Sequence, residues 1–288
     1  MNPNPEYAFP VVYSILLPAD FSAGSLTAFH HALKAAIIAN AKLTILHLSP
    51  EAATAWTDFS GVRETLERWG LLTPDSPKDA VPEMGIDVRT VVAPGGSPAK
   101  AVLGHLETNP TDLIVLSIQA HEGRATWLRQ PLIEPIARKA EEATLFLPDT
   151  TPGFVSARDG SVSLERILIP IAAKPRPQSA LAAAARLAVR LQRPRGTFIL
   201  MHVGDKTTMP AVQCPEVPGW EWKKVMRTGD VIQGIADTAA KESADLIVMC
   251  TDGRNGFLDA LRGSYSERVL RNAPCPLLTV PEAGGALK

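Results

Sequence analysis

"ADLIVMCTDGRNGFLDALRGSYSERVLRNA", residues 244–273, lies over "TDLIVLSIQAHEGRATWLRQPLIEPIARKA", residues 111–140, without a gap and at a constant offset of 133 residues. Each copy opens on an apolar run of strand length, crosses a polar stretch and ends in helix-period sequence. Self-similarity on this scale marks two units built alike. The outer segments agree, since "LTILHL" (43–48) lies over "FILMHV" (198–203) and Pro18 over Pro170.

Around the repeat, strand and helix signals alternate. The first half reads as strands at "VVYSILLP", "KLTILHL", "IDVRTVV", "DLIVLSI" and "TLFLP". Helices are expected at "SLTAFHHALKAAIIANA", "FSGVRETLERWGLL", "SPAKAVLGHLE" and "LIEPIARKAEE". The second half repeats this order through "LERILIP", "QSALAAAARLAVRLQ", "TFILMHV", "WEWKKVMRT", "DVIQGIADTAAKE", "DLIVMC", "SERVLRN" and "PLLTV". Such alternation predicts an α/β fold of two tandem doubly wound domains, each with a mostly parallel five-stranded sheet. Near-continuous apolar strands fit burial on both sheet faces. The expected boundaries are 1–149 for the first domain, 150–163 for a linker rich in Gly, Pro and small polar residues, and 164–288 for the second. One difference stands out: where the first copy has "FSGVRETLERWGLL", the second has only "VGDKTTMPAVQCPEVPG" (203–219), so a helix is missing there. Trp220 and Trp222 are candidates for packing into the gap that this leaves or for a partner surface, and alternating aromatics in a strand favour packing.

Composition narrows the function. With 29 Lys and Arg against 30 Asp and Glu, and no basic stripe, nucleic acid and anionic membranes are poor partners. Three cysteines without C-x-x-C spacing argue against a disulfide framework or a Cys-rich zinc site and fit a reducing cytosol. The first ten residues lack a signal-peptide pattern, and no apolar run approaches the roughly 18 residues needed to span a bilayer. The six histidines form no H-E-x-x-H pair, and adjacent His30 and His31 are expected on a helix surface and its flank.

The loop after "DLIVMC" carries the chemistry. Gly253 and Gly256 allow a ligand close to the main chain, and Gly263 precedes Ser264 at a helix start. Main-chain N–H groups in glycine turns and at helix starts bind phosphate. The loop leaves the carboxyl end of a strand, where open α/β sheets bind ligands. Arg254 and Arg262 add positive charge. A second reading stays open: Ser264-x-x-Glu267 is by itself a capping box that needs no ligand.

These residues carry a resemblance. The chain resembles a tandem universal stress protein over nearly all of its length, linker and termini excepted. Its final run, "SERVLRNAPCPLLTV", is similar to the family's ending. Members that bind ATP have a Gly-x2-Gly-x9-Gly-Ser/Thr loop and an Asp just after the first strand's proline. The second copy matches at Gly253, the nine-residue spacer and Gly263-Ser264, but has Cys250 for the first glycine and Ala172 for the Asp. The first copy keeps Asp20, but its loop reads Ser117, Ala120, Gln130 and Pro131. The resemblance thus implies an adenine nucleotide alpha hydrolase-like fold with ATP, accompanied by magnesium, in the second copy alone. Cys250, Gly253, Arg254, Gly256, Gly263 and Ser264 would hold it, together with Pro170 and Ile171 at the neighbouring strand end.

The expected function is a cytosolic stress-response module that binds nucleotide without turnover and has a structural first domain. No paired catalytic carboxylates, Walker A sequence or Ser/His/Asp set recurs at the strand ends. The alternative is an interaction scaffold with no nucleotide. The resemblance also implies an intramolecular pseudo-dimer and leaves room for further homodimerisation.

Overall fold

The computed structural model describes residues 12–19, 23–47, 61–77, 79–93, 98–118, 120–121, 124–125, 142–151, 153–251, 269–270 and 272–282. These fall into two compact units, one of residues 12–125 and 146–163, the other of 142–145 and 164–282.

The first unit contains β1 (Ser14–Ala19), α1 (Ala23–Ala39), β2 (Lys42–His47), α2 (Val62–Arg68) and the short α3 (Ala80–Glu83). It continues with β3 (Asp87–Val92), α4 (Pro98–Thr108) and β4 (Leu113–Ile118). A two-residue hairpin, β5 (Ala120–His121) and β6 (Arg124–Ala125), precedes β7 (Ala143–Pro148). The strand order is β7-β4-β1-β2-β3, with β4, β1, β2 and β3 paired in parallel.

The second unit contains β8 (Arg166–Pro170), α5 (Gln178–Arg190), β9 (Gly196–Val203), β10 (Trp220–Arg227), α6 (Val231–Lys241), β11 (Leu246–Thr251) and β12 (Leu277–Pro281). Its strands run in the order β10-β9-β8-β11-β12, all in parallel. The unit also takes in the start of β7, where the Thr279 hydroxyl donates to the Thr144 carbonyl at 3.3 Å. The helix expected over 132–142 lies outside the described residues but for residue 142. Of "SERVLRN", only Val269, Leu270 and Asn272 are described, and all three are helical.

Why these segments are strands is plain from burial. Leu16, Leu17, Ile114 and Val115 in the first unit, and Ile167, Leu168, Ile247 and Val248 in the second, are at most 1% exposed. Consecutive residues buried on both faces demand unbroken apolar runs. The repeat extends to polar detail. The Asp112 carboxylate accepts from the amides of Tyr13 and Ser14, both at 2.9 Å. Its counterpart Asp245 accepts from Glu165 and Arg166 at 2.8 and 2.7 Å. Each aspartate thereby satisfies the main chain at the start of the neighbouring strand. At α6 the Asp230 side chain accepts from the amides of Ile232 and Gln233, which caps the helix.

Two expectations change. His30 and His31 are buried, at 6% and 2% exposure, instead of lying on a helix surface. The cause is the stretch expected as a connector, which folds over α1. Val155 and Val162 form an antiparallel bridge, and Phe154 is buried against the His31 ring at 4.6 Å between centroids. The amides of Phe154 and Val155 donate to His31 Nε2 at 3.0 and 3.2 Å, while His31 Nδ1 donates to the Thr27 carbonyl at 2.8 Å. That pattern requires a neutral ring, and burial pushes the His31 pKa down to about 4. Gly153, at φ +70°, is needed here, because a Cβ would sit 2.3 Å from the imidazole. Beside it, Arg68 Nη2 donates to His30 Nε2 at 3.2 Å and Trp69 Nε1 donates to the Ala157 carbonyl at 3.2 Å.

The missing helix is observed. Between β9 and β10, residues 204–219 contain no helix, yet the two strands pair in parallel along their whole length. Phe198 stacks on both Trp220 and Trp222, with centroids 4.5 and 4.3 Å apart. The tryptophans pack as expected, side by side on one face of β10.

Candidate functional site at the second switch point

In the second unit the chain runs outward from β8 through β9 to β10, then returns to the other side of β8 as β11 and β12. The order therefore reverses between β8 and β11. In open α/β sheets the crevice outside the strands' carboxyl ends at such a point is where ligands bind. The residues delivered there are Pro170 and Ile171 after β8, and Cys250 and Thr251 at the end of β11.

Three of the expected site residues can be placed. Pro170 is half-buried and pairs with Met201. Ile171 is 4% exposed and uses both main-chain groups within the fold. Its amide donates to the Met201 carbonyl at 2.8 Å, and its carbonyl accepts from His202 Nδ1 at 3.0 Å. With Nδ1 as donor, His202 Nε2 accepts from the Thr208 hydroxyl at 3.0 Å. Gly204, at φ +146°, makes room for this pair, since a Cβ there would lie 2.4 Å from Thr208 Oγ1. Cys250 is buried, lies within β11 and pairs with Val280. Being strand, it does not need the left-handed backbone that a glycine would permit. Gly253, Arg254, Gly256, Gly263 and Ser264 lie outside the described residues, as do Asp20, Gln130, Pro131 and Arg262.

The loop from β8 to α5 supplies what sequence reading missed. Ala172 and Ala173 are exposed there, followed by the cations Lys174 and Arg176. Arg176 reaches across to Glu282, just past β12: its Nε and its main-chain amide both bond to that carboxylate. The Glu282 amide donates to the Thr251 carbonyl at 2.8 Å, which pins it to the end of β11. The guanidinium holds the Glu282 carboxyl below the usual carboxylate range, and Lys174 acts in the same direction. Arg176 and Glu282 are 106 positions apart in the chain, and no local motif joins them. Of the other cysteines, Cys275 is buried and its thiol is pushed up to about 12, chiefly by burial, so it is held as the inert thiol. Among the described residues, no group of three or more His, Cys, Asp or Glu is placed to hold a metal ion.

The family model described as "Universal stress protein family" matches residues 13–148 and 215–281. The chain belongs to the universal stress protein family. The match leaves out residues 149–214 of this universal stress protein, which include β8, α5, β9 and most of the loop that replaces a helix. A universal stress protein of Methanocaldococcus jannaschii is 43% identical over 82 residues, covering 28% of this chain and 48% of that relative. One from Methanothermobacter thermautotrophicus is 41% identical over 63 residues, 22% of this chain and 42% of the relative. The aligned stretches thus span about half the length of these relatives or less. Among solved structures, a universal stress protein from Archaeoglobus fulgidus superposes with a TM-score of 0.63 at 16% identity, covering 96% of this chain and all of that one. The cytoplasmic domain of a prokaryotic cation chloride cotransporter reaches 0.51 at 13% identity, covering 95% and 97%. These likenesses establish the fold, which recurs in proteins of different roles. No helix among the described residues is long and apolar enough to cross a membrane.

Proposed function

We propose that this universal stress protein is a cytosolic stress-response module that binds ATP or a related nucleotide, with magnesium, at the carboxyl edge of its second unit, without turning it over. The first unit serves as its structural partner. The observation that carries this reading is topological: β11, which the glycine-spaced stretch follows directly in sequence, ends at the reversal of strand order beside β8. The rim fits an anionic ligand, since small exposed residues at Ala172 and Ala173 leave room and Lys174 and Arg176 supply positive charge. Gly253, Gly256, Gly263 and Ser264 would hold phosphate through main-chain N–H groups and a hydroxyl. Because the Ile171 amide is already committed to Met201, recognition of the base falls to other groups. Bound nucleotide would supply phosphate charge to be read, and the chain's part is to bind and orient it.

Calorimetric titration with ATP and magnesium tests the proposal. Saturable binding is expected, abolished by Gly263→Val while circular dichroism stays native. A folded wild-type protein with no saturable binding at about 1 mM nucleotide, near −4 kcal/mol at most, would replace this reading with that of a nucleotide-free interaction scaffold.

A further inference from the structure

We infer that Arg176 is the residue with which the site reads an anionic group of its nucleotide, and that Glu282 is a positioning residue for it; the inference rests on the nucleotide reading above. Arg176 lies on the loop that follows β8, one side of the switch point, and Glu282 follows β12, beyond the far side of β11. Their contact therefore passes over the carboxyl end of β11, where the glycine-spaced stretch departs.

The geometry is one-sided. Glu282 engages Nε and the main-chain amide of Arg176, whereas Nη1 and Nη2 donate to no described residue, and the side chain is 70% exposed. A guanidinium carries five N–H donors in a planar fork, and bidentate pairing with phosphate uses two parallel N–H bonds from one edge. Among the described residues Glu282 alone engages the fork, at one end, and the Nη edge is the one assigned to the ligand. The carboxylate is itself fixed, being 22% exposed and tethered through its own amide to the Thr251 carbonyl. A flexible surface arginine loses much rotamer freedom on binding, and holding it beforehand reduces that cost. Glu282 neutralises only part of the local charge, because Lys174 stands on the same loop. The loop thus stays net positive towards an incoming phosphate. Ala172, on the same loop, adds no opposing charge.

The experiment compares ATP with adenosine on the full chain, by calorimetry at low salt. Arg176→Gln is expected to weaken ATP binding about tenfold or more, as the loss of a charge-assisted contact does, and to leave adenosine unchanged. Arg176→Lys, which keeps the charge but not the fork, falls between, and Glu282→Ala weakens ATP binding by roughly threefold through lost orientation. Equal loss of ATP and adenosine affinity in Arg176→Gln, or ATP binding unchanged in that variant, overturns the assignment while leaving nucleotide binding standing. If the folded wild type binds neither ligand, the nucleotide reading fails and takes this inference with it.

Discussion

The two units join equivalent strands, β2 to β3 and β9 to β10, by different means. In the first, α2 and α3 lie on the path, and Leu66 and Trp69 of that segment are buried. In the second, a Pro-rich loop covers the distance, and Phe198 of β9 stacks with Trp220 and Trp222 of β10. The loop is anchored at few points. Asp205 Oδ1 accepts from the amides of Thr207 and Thr208 in a tight turn, Thr208 meets His202, and Gln178 brackets Gln213 through two bonds. Trp222 Nε1 donates to the Pro215 carbonyl at 2.9 Å. The parallel pairing survives in both. A parallel crossover usually carries a helix because a sheet face must be covered, and the second unit shows that large aromatics on the strands meet part of that need.

The sharpest way to break this comparison is to remove the aromatic cover. Trp220, 8% exposed, also donates through Nε1 to the Arg193 carbonyl at 3.0 Å. Trp220→Ala is expected to cost about 3–5 kcal/mol in urea unfolding, the range for truncating a buried large aromatic. A loss near that of a surface substitution would mean that the stack does not stand in for the helix.

A smaller effect is expected from pH, and it should arise in the first unit. His31 is neutral in the fold with its pKa lowered to about 4, and His30 is lowered to about 4 by burial and by Arg68. Between pH 6.5 and 4 the unfolded chain therefore binds more protons than the native one. The stability that the neutral rings contribute is whole above about pH 6.5 and is lost as pH falls towards 4, with an upper bound near 3 kcal/mol for the buried His31 ring. Around these rings stand Lys34 on α1, Arg68 on α2 and Asp159 on the overlying segment. Of these, Asp159 is held ionised by Ser161 and Ser156, so the histidines are the groups that change charge in this range. Urea midpoints of wild type and His31→Asn at pH 7 and 4.5 should converge as pH falls. An identical pH slope in both would assign the acid sensitivity elsewhere.

The gentlest comparison is hydrogen exchange of the two connections. Ala211, Val212 and Cys214 should exchange faster than Thr65 and Trp69, whose amides donate to Gly61 and Thr65. Gln213, bonded to Gln178, should be slower than its neighbours. Uniformly protected amides across 211–214 would show that this loop is held as firmly as α2.

Much of the fold was legible because its signals are local. The strand runs, the constant repeat offset and the absent helix are written in consecutive residues, and each expected strand lies within a residue or two of its place, except that β1 begins at Ser14 rather than Val11; the short β5 and β6 were not expected. The site was legible only as a pattern. Pro170, Ile171 and Cys250 arrive at one sheet edge because apolar strands end there, whereas the use of both Ile171 main-chain groups by Met201 and His202 had no trace in the spacing.

By itself, then, the sequence determined two α/β repeats, a shortened crossover and a glycine-spaced stretch in the second copy, since burial and backbone freedom are set residue by residue. Tertiary structure alone decided that His31 is buried beneath residues more than 120 positions away, that Phe198 lies against both tryptophans and that Arg176 meets Glu282. Those contacts depend on which strand lies beside which, and strand order emerges from how whole elements pack, not from any short run of residues.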